Sequence, residues 1–177
     1  ILSFSDVTEE QAAEEQLRKL SLAVEQSPNS VLITDIDGRI EYANQAYLDT
    51  SGYGHAEVMG ANPRLLSSGR TEPDVHASLW STLLRGDIWK GEFINRRKNG
   101  GETVQRALVS PIRQSDGRIT HYLAIQEDIT ERKRIEAELE RHRDHLEELI
   151  EARSRELERA VTARTDSEQF TLAIADN

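Results

Sequence analysis

Trp89-Lys-Gly-Glu-Phe-Ile-Asn-Arg-Arg-Lys-Asn-Gly-Gly-Glu-Thr-Val-Gln-Arg-Ala-Leu-Val-Ser-Pro-Ile112 is the stretch on which the fold turns. Asn99-Gly100-Gly101 is turn chemistry, since glycine adopts the positive backbone angles that tight hairpins need. The flanking runs, 89–98 and 102–112, are rich in strand formers, with Gly91 and Pro111 their only breakers. Ser115-Asp116-Gly117 is a second turn, and 118–129 reads as a third strand. Because strand side chains alternate between faces, Trp89, Gly91, Phe93 and Asn95 share a face with Thr103, Gln105, Ala107 and Val109, and with Tyr122, Ala124 and Gln126. Ile94, Val104, Leu108, Leu123 and Ile125 take the other.

Working upstream, residues 31–35 and 39–43 form a hairpin around Asp37-Gly38. Asn44 is placed to cap a helix at 45–51 that Gly52 stops, and short turns follow through Gly60-Ala-Asn-Pro-Arg64. Glu72-Pro-Asp opens a stronger helix at 73–85, ended by Gly86, with Val75, Leu79 and Leu83 on one stripe and Trp80 and Leu84 beside it. Two strands, a helical insert and three strands give an α+β fold: a five-stranded antiparallel sheet with short helices on one face. Both sheet faces are partly apolar and the short helices can cover only one. The other is left for the amphipathic arm 11–25 or for a second subunit.

Outside this region the character changes. All ten glycines and all four prolines fall between Pro28 and Gly117. Residues 131–166 contain no Gly, Pro or aromatic, and 20 of these 36 are charged, with the signs interleaved. That composition makes one exposed helix about 54 Å long at 1.5 Å per residue. Ile135, Leu139, Leu146 and Leu149 follow a heptad with His142 in the missing seam position, and Leu157 breaks phase near Arg153. A single narrow seam needs a partner, so the reading is a parallel dimeric coiled coil.

The ends echo the middle. Phe4-Ser-Asp-Val-Thr8 resembles Gln126-Glu-Asp-Ile-Thr130, and Thr171-Leu-Ala-Ile-Ala-Asp-Asn177 resembles Ser21-Leu-Ala-Val-Glu-Gln-Ser27. The organisation expected is therefore the end of one unit at 1–8, a linker helix at 9–26, a domain at 27–130, a coiled-coil helix at 131–166 and the start of another unit at 167–177.

The charge arithmetic fits this division. The 177 residues carry 22 Lys+Arg against 32 Asp+Glu, a net charge of -10, which argues against electrostatic binding of nucleic acid. The domain itself, 21–130, holds 14 acidic and 11 basic groups. There is no cysteine, which removes thiolate chemistry and fits a reducing compartment, here taken as cytoplasmic even where the parent protein is membrane-associated. No apolar run reaches the roughly 20 residues of a membrane span.

The domain resembles the PAS domains of bacterial multi-PAS sensory proteins of the sensor histidine kinase type. The resemblance is carried by Asp35-Ile-Asp-Gly38, Tyr42-Ala-Asn44, Thr50-Ser-Gly-Tyr53, Gly60-Ala-Asn-Pro-Arg64, Trp89-Lys-Gly-Glu92, Asn95-Arg-Arg-Lys-Asn-Gly100, Ser110-Pro-Ile112 and Asp128-Ile-Thr130. It implies a pocket that senses a ligand or partner and passes the signal into a coiled coil, in a homodimer joined by the N-terminal helix and the coiled coil and flanked by neighbouring PAS and output domains. At the junction, Thr130 is expected to cap the long helix, with Asp128 favouring its positive end.

Asn95, Gln105 and Gln126 fall at positions resembling those that contact the ring in flavin-binding members, and carboxamides suit a heterocycle bearing both donors and acceptors. Arg64 matches a position that reaches a flavin phosphate. Trp80 and Trp89 resemble tryptophans of flavin-dependent redox sensors, with Phe93 on the same wall. The resemblance thus implies FAD or FMN; the alternative is a ligand-free dimerisation module in which the amides bond to backbone. Pro63 stands where the photoreceptor subfamily carries its adduct-forming cysteine, which excludes that chemistry. Haem is disfavoured because His76 lies too early on its helix, where it reads as a surface histidine. No Gly-rich phosphate loop or metal-type His cluster is present, and the segment is read as non-enzymatic, its parent a histidine kinase or, second, a diguanylate cyclase.

Overall fold

The structure is a computed structural model that describes the backbone from residue 4 to 175 and side-chain surroundings from 9 to 164. It divides into two compact units, residues 1–131 and 132–177.

The first unit begins with helix α1 (Phe4–Glu25), continues through β1 (Ser30–Asp35), β2 (Ile40–Ala43), α2 (Gln45–Ser51), α3 (His55–Val58) and a 3-10 turn (Pro63–Leu66), and then α4 (Pro73–Arg85). Strands β3 (Trp89–Arg96), β4 (Glu102–Arg113) and β5 (Ile119–Asp128) follow, and α5 (Thr130–Ala175) starts at its end. The five antiparallel strands lie in the order β2-β1-β5-β4-β3: β1–β2, β3–β4 and β4–β5 are hairpin neighbours, and the helical crossover brings β5 beside β1.

The register sets out the face derived from alternation. Phe93 pairs with Gln105, Ala107 with Gln126, Val109 with Ala124, and Leu32 with Ala124 on the far side. Trp89, Phe93, Thr103, Gln105, Ala107, Val109, Tyr122, Ala124 and Gln126 are all buried, and they form the inner face with Leu32. Helices α2 to α4 lie on this face, contributing Tyr47, Val58 and Leu83 to one core cluster.

Local chemistry fixes the corners. The Asn44 carboxamide oxygen accepts from Tyr47 N (3.1 Å) at the start of α2 and from Val31 N (2.9 Å), while its Nδ2 donates to Val24 and Asn29 carbonyls. One fully buried side chain thus ties α1, β1 and α2 together. Tyr42 Oη adds a 2.7 Å bond to Glu25, and burial and that carboxylate push the phenol up to about 12.

Two expectations change. The arm 11–25 does not cover the outer sheet face: its side chains are all exposed, including Leu17 and Leu20. On that face Ile94, Val104, Leu108 and Leu123 are half-buried and Ile125 is exposed. At the junction, the Thr130 hydroxyl does not cap its helix. It accepts from Val104 N (2.9 Å) and donates to Asp128, and Asp128 Oδ1 takes the Thr130 amide (3.0 Å). Asp128 is therefore the cap and Thr130 a tie to β4.

Taken by itself, α5 is continuous through Arg153, and every side chain from 131 to 164 is exposed. Its surface carries local ion pairs such as Arg132–Glu136 (2.9 Å) and Arg153–Glu156 (2.5 Å). The side chains at 1–8 and 167–177, on which the flanking-unit expectations rest, lie outside the described residues, although the backbone is already helical from Phe4 and remains so to Ala175.

Candidate functional site

Between the inner face and α4 lies a cavity of about 550 Å³, within the range of small-molecule sites. Its walls are mainly apolar, with Leu32, Leu79, Leu83, Val109 and Ala124. Four rings join them. His76 stacks on Phe93 with centroids 5.6 Å apart, and Trp80 meets Tyr122 edge-to-face at 5.9 Å.

The polar groups are few and placed by secondary structure. Asn95 on β3 and Gln126 on β5 both reach the cavity. Asn95 Nδ2 donates to Gln105 Oε1 at 2.7 Å, so Gln105, 2% exposed, holds the wall amide in position. Gln126 is different: its Oε1 is buried with no hydrogen-bond partner. Leaving such a carbonyl oxygen unsatisfied costs on the order of 1–3 kcal/mol.

The rim is built from the segment between α3 and α4. The Asn62 side chain accepts from Arg64 N (3.0 Å), starting the 3-10 turn in which Pro63 occupies a position needing no N–H donor. Gly38 approaches from the β1–β2 turn with φ +77°, and a Cβ there would stand 2.9 Å from Asn62 Nδ2. Beyond the turn, Ser67 pairs with Asn95 as an isolated bridge. Thr71 Oγ1 accepts from Ile94 N (2.9 Å) and donates to Ile94 O (3.2 Å), and Ser68 also donates to that carbonyl. Arg64 lies on this rim, and no carboxylate is among the lining residues.

The expected site residues divide accordingly. Arg64, Trp80, Phe93, Asn95 and Gln126 line the cavity; Gln105 and Trp89 do not. Trp89 sits on the predicted face, but its indole folds back over Gly91, where a Cβ would come within 2.2 Å of it. It packs on Phe93 at 5.0 Å and donates from Nε1 to Ser78 Oγ at 3.3 Å, which makes it core. His76, read from the sequence as a surface residue, is half-buried on the cavity wall. Its spacing to Trp80 and Leu83, four and seven residues on, was the available signal, since these positions share a helix face. Outside the cavity, the Tyr47 hydroxyl is also buried without a partner, and burial, then the neighbouring Tyr53, pushes that phenol up. Among the described residues no cluster of metal-ligating side chains occurs and no helix is long and apolar enough to cross a membrane.

Comparison with known proteins agrees with this architecture. The nitrogen fixation regulatory protein of Klebsiella oxytoca is 35% identical over 127 residues, covering 72% of this chain and 26% of its own length. A blue-light-activated histidine kinase of Rhizobium johnstonii is 33% identical over 127 residues, covering 70% and 37%. A solved light-oxygen-voltage domain studied with a flavin analogue superposes with a TM-score of 0.60 at 26% identity, covering 72% of this chain and 96% of that one. The chain therefore spans 26 to 37% of the length of these two curated relatives. A family model described as PAS domain matches residues 28–131, a span that takes in the whole sheet, the cavity and the Asp128–Thr130 junction. The chain belongs to the PAS family of sensory domains.

Proposed function

We propose that this chain is a flavin-binding sensing module of a larger cytoplasmic signal-transduction protein of the histidine-kinase type, and that it relays the state of its ligand through α5. The observation that carries the reading is Gln126: it lines an apolar cavity and its Oε1 is a buried acceptor without a partner, while Asn95, on the same sheet face, is already held by Gln105. A planar heterocycle with an edge donor satisfies it. Asn95 and Gln126 would hold the ring edge, Trp80 and Phe93 its flanks, and Arg64 a phosphate of FMN or FAD. The flavin supplies a ring that absorbs light and takes up electrons. The flavin named for the solved neighbour and the blue light named for the relative support the assignment.

In this reading the segment performs no catalysis of its own; the output belongs to the parent. The apolar seam of α5, with Ile135, Leu139, Leu146 and Leu149 each more than half exposed, favours a coiled-coil homodimer as the transmitting element. A ligand-free dimerising spacer is the competing reading, and it draws on the Asn95–Gln105 bond, in which two of the three amides answer each other. The purified full chain decides between them: the flavin reading expects a yellow protein whose heat-released supernatant contains FMN or FAD by mass spectrometry. A colourless protein that releases no small molecule and takes none up overturns it.

A further inference from the structure

We propose that Trp80 is an electron donor to the photoexcited ring in the cavity, so that absorbed light is discharged through the protein's own indole and not through a bond to the protein. The inference rests on the flavin reading above and goes beyond it. Beyond the decay intrinsic to the ring, a protein discharges an excited flavin by two routes, a bond to a nearby nucleophile or an electron from an oxidisable side chain in contact. The first route in a PAS pocket needs a thiol, and this chain has no cysteine.

The second route needs an easily oxidised side chain on the cavity wall, and indole is the most readily oxidised of the aromatic side chains. Trp80 lines the cavity, and Tyr122, which also lines it, meets the indole at 83° and 5.9 Å, an edge-to-face contact that fixes the plane of the donor. The other tryptophan is shut away. Trp89 lies behind Phe93 with its Nε1 engaged by Ser78, and it does not line the cavity. The molecule thus contains one indole that can touch the ring and one that cannot.

The step balances without an outside reagent. The Trp80 indole gives one electron to the excited ring and is left one electron short; the same electron then returns. No bond is made or broken, no proton leaves the site, and the starting state is recovered with the light energy lost as heat.

The test loads the full chain with flavin mononucleotide, measures uptake by absorbance after gel filtration, and reads the excited-state lifetime of the bound flavin. The wild type is expected to show a short lifetime, W80F one severalfold longer, W80Y an intermediate one, and W89F the wild-type value. A W80F protein loaded to the wild-type extent with an unchanged lifetime overturns the donor assignment alone. So does a W89F lifetime lengthened as much as that of W80F. Failure of the wild type to take up flavin overturns the flavin reading and this inference together.

Discussion

The domain and the helix that leaves it are both well-formed secondary structure, yet they are held by different forces. In the domain, residues far apart in sequence meet: Leu32 faces Ala124, Phe93 faces Gln105, and Tyr47 is sealed beneath them at 1% exposure. In α5 every side chain from 131 to 164 is exposed, and its ion pairs include local ones such as Arg143 to Glu147 at 3.9 Å. Exposed pairs of this kind add little to stability. The domain can therefore specify its own structure through burial, whereas the helix shows none along its described side chains.

The largest effect that would test this contrast is in the core. Ile40 is 1% exposed, and Ile40→Ala is expected to cost about 2–5 kcal/mol in chemical denaturation. A loss below about 1 kcal/mol would mean that the domain is less tightly packed than described. On the helix, the comparable change Leu146→Ala should leave the domain's unfolding midpoint within about 0.5 kcal/mol while weakening self-association measured by light scattering. A midpoint that followed Leu146 would erase the distinction.

Between these lies the junction. Asp128 takes the Thr130 amide and the Arg97 guanidinium (2.9 Å), and Thr130 takes the Val104 amide. Asp128→Ala is expected to cost about 1–2 kcal/mol, a cap together with a partly exposed ion pair. Gln126→Leu sharpens the contrast from the opposite direction. Removing the unpartnered oxygen should stabilise the ligand-free domain by about 1 kcal/mol while lowering flavin uptake, read by denaturation and by absorbance. A destabilised Q126L would show that the amide already has a partner in solution.

The smallest effect is one of pH. The Tyr42 phenol, which anchors the end of α1 to β2, is raised from 10 to about 12 by burial and then by Glu25. The folded state holds this proton more tightly than the unfolded state, so its stabilisation is complete below pH 10 and is lost as the pH climbs through about 12. A phenolate absorbance titration should show the Tyr42 step move down after Glu25→Gln without reaching the ordinary value, since burial, the larger cause, remains.

The sheet was legible in the sequence because period-two alternation and the Gly-containing turns leave little choice of pairing, and with it came the common face of Asn95, Gln105 and Gln126. Alternation assigns a face, however, and not a depth. Gln105 and Asn95 share a wall, but only their 2.7 Å contact shows that one serves the other. Trp89 was expected beside the ligand, yet Gly91, lacking a side chain, lets the indole lie back over the strand. His76 was missed for a related reason: on α4 the polar ring sits at the edge of an apolar stripe, and the cavity takes in that edge. The outer face, being apolar, was left to the arm 11–25 or to a second subunit, but the arm's side chains remain exposed, and nothing in its own sequence specifies where it should lie.

The Asn95–Gln105 bond has a mechanical consequence. Gln105 stands opposite Asp128 in the β4–β5 register, and Asp128 holds the first amide of α5. The wall of the cavity and the root of the helix are thus one strand pairing apart. A ligand that turned the Asn95 carboxamide would disturb the bond to Gln105, whose strand neighbour is the residue that caps the exit helix.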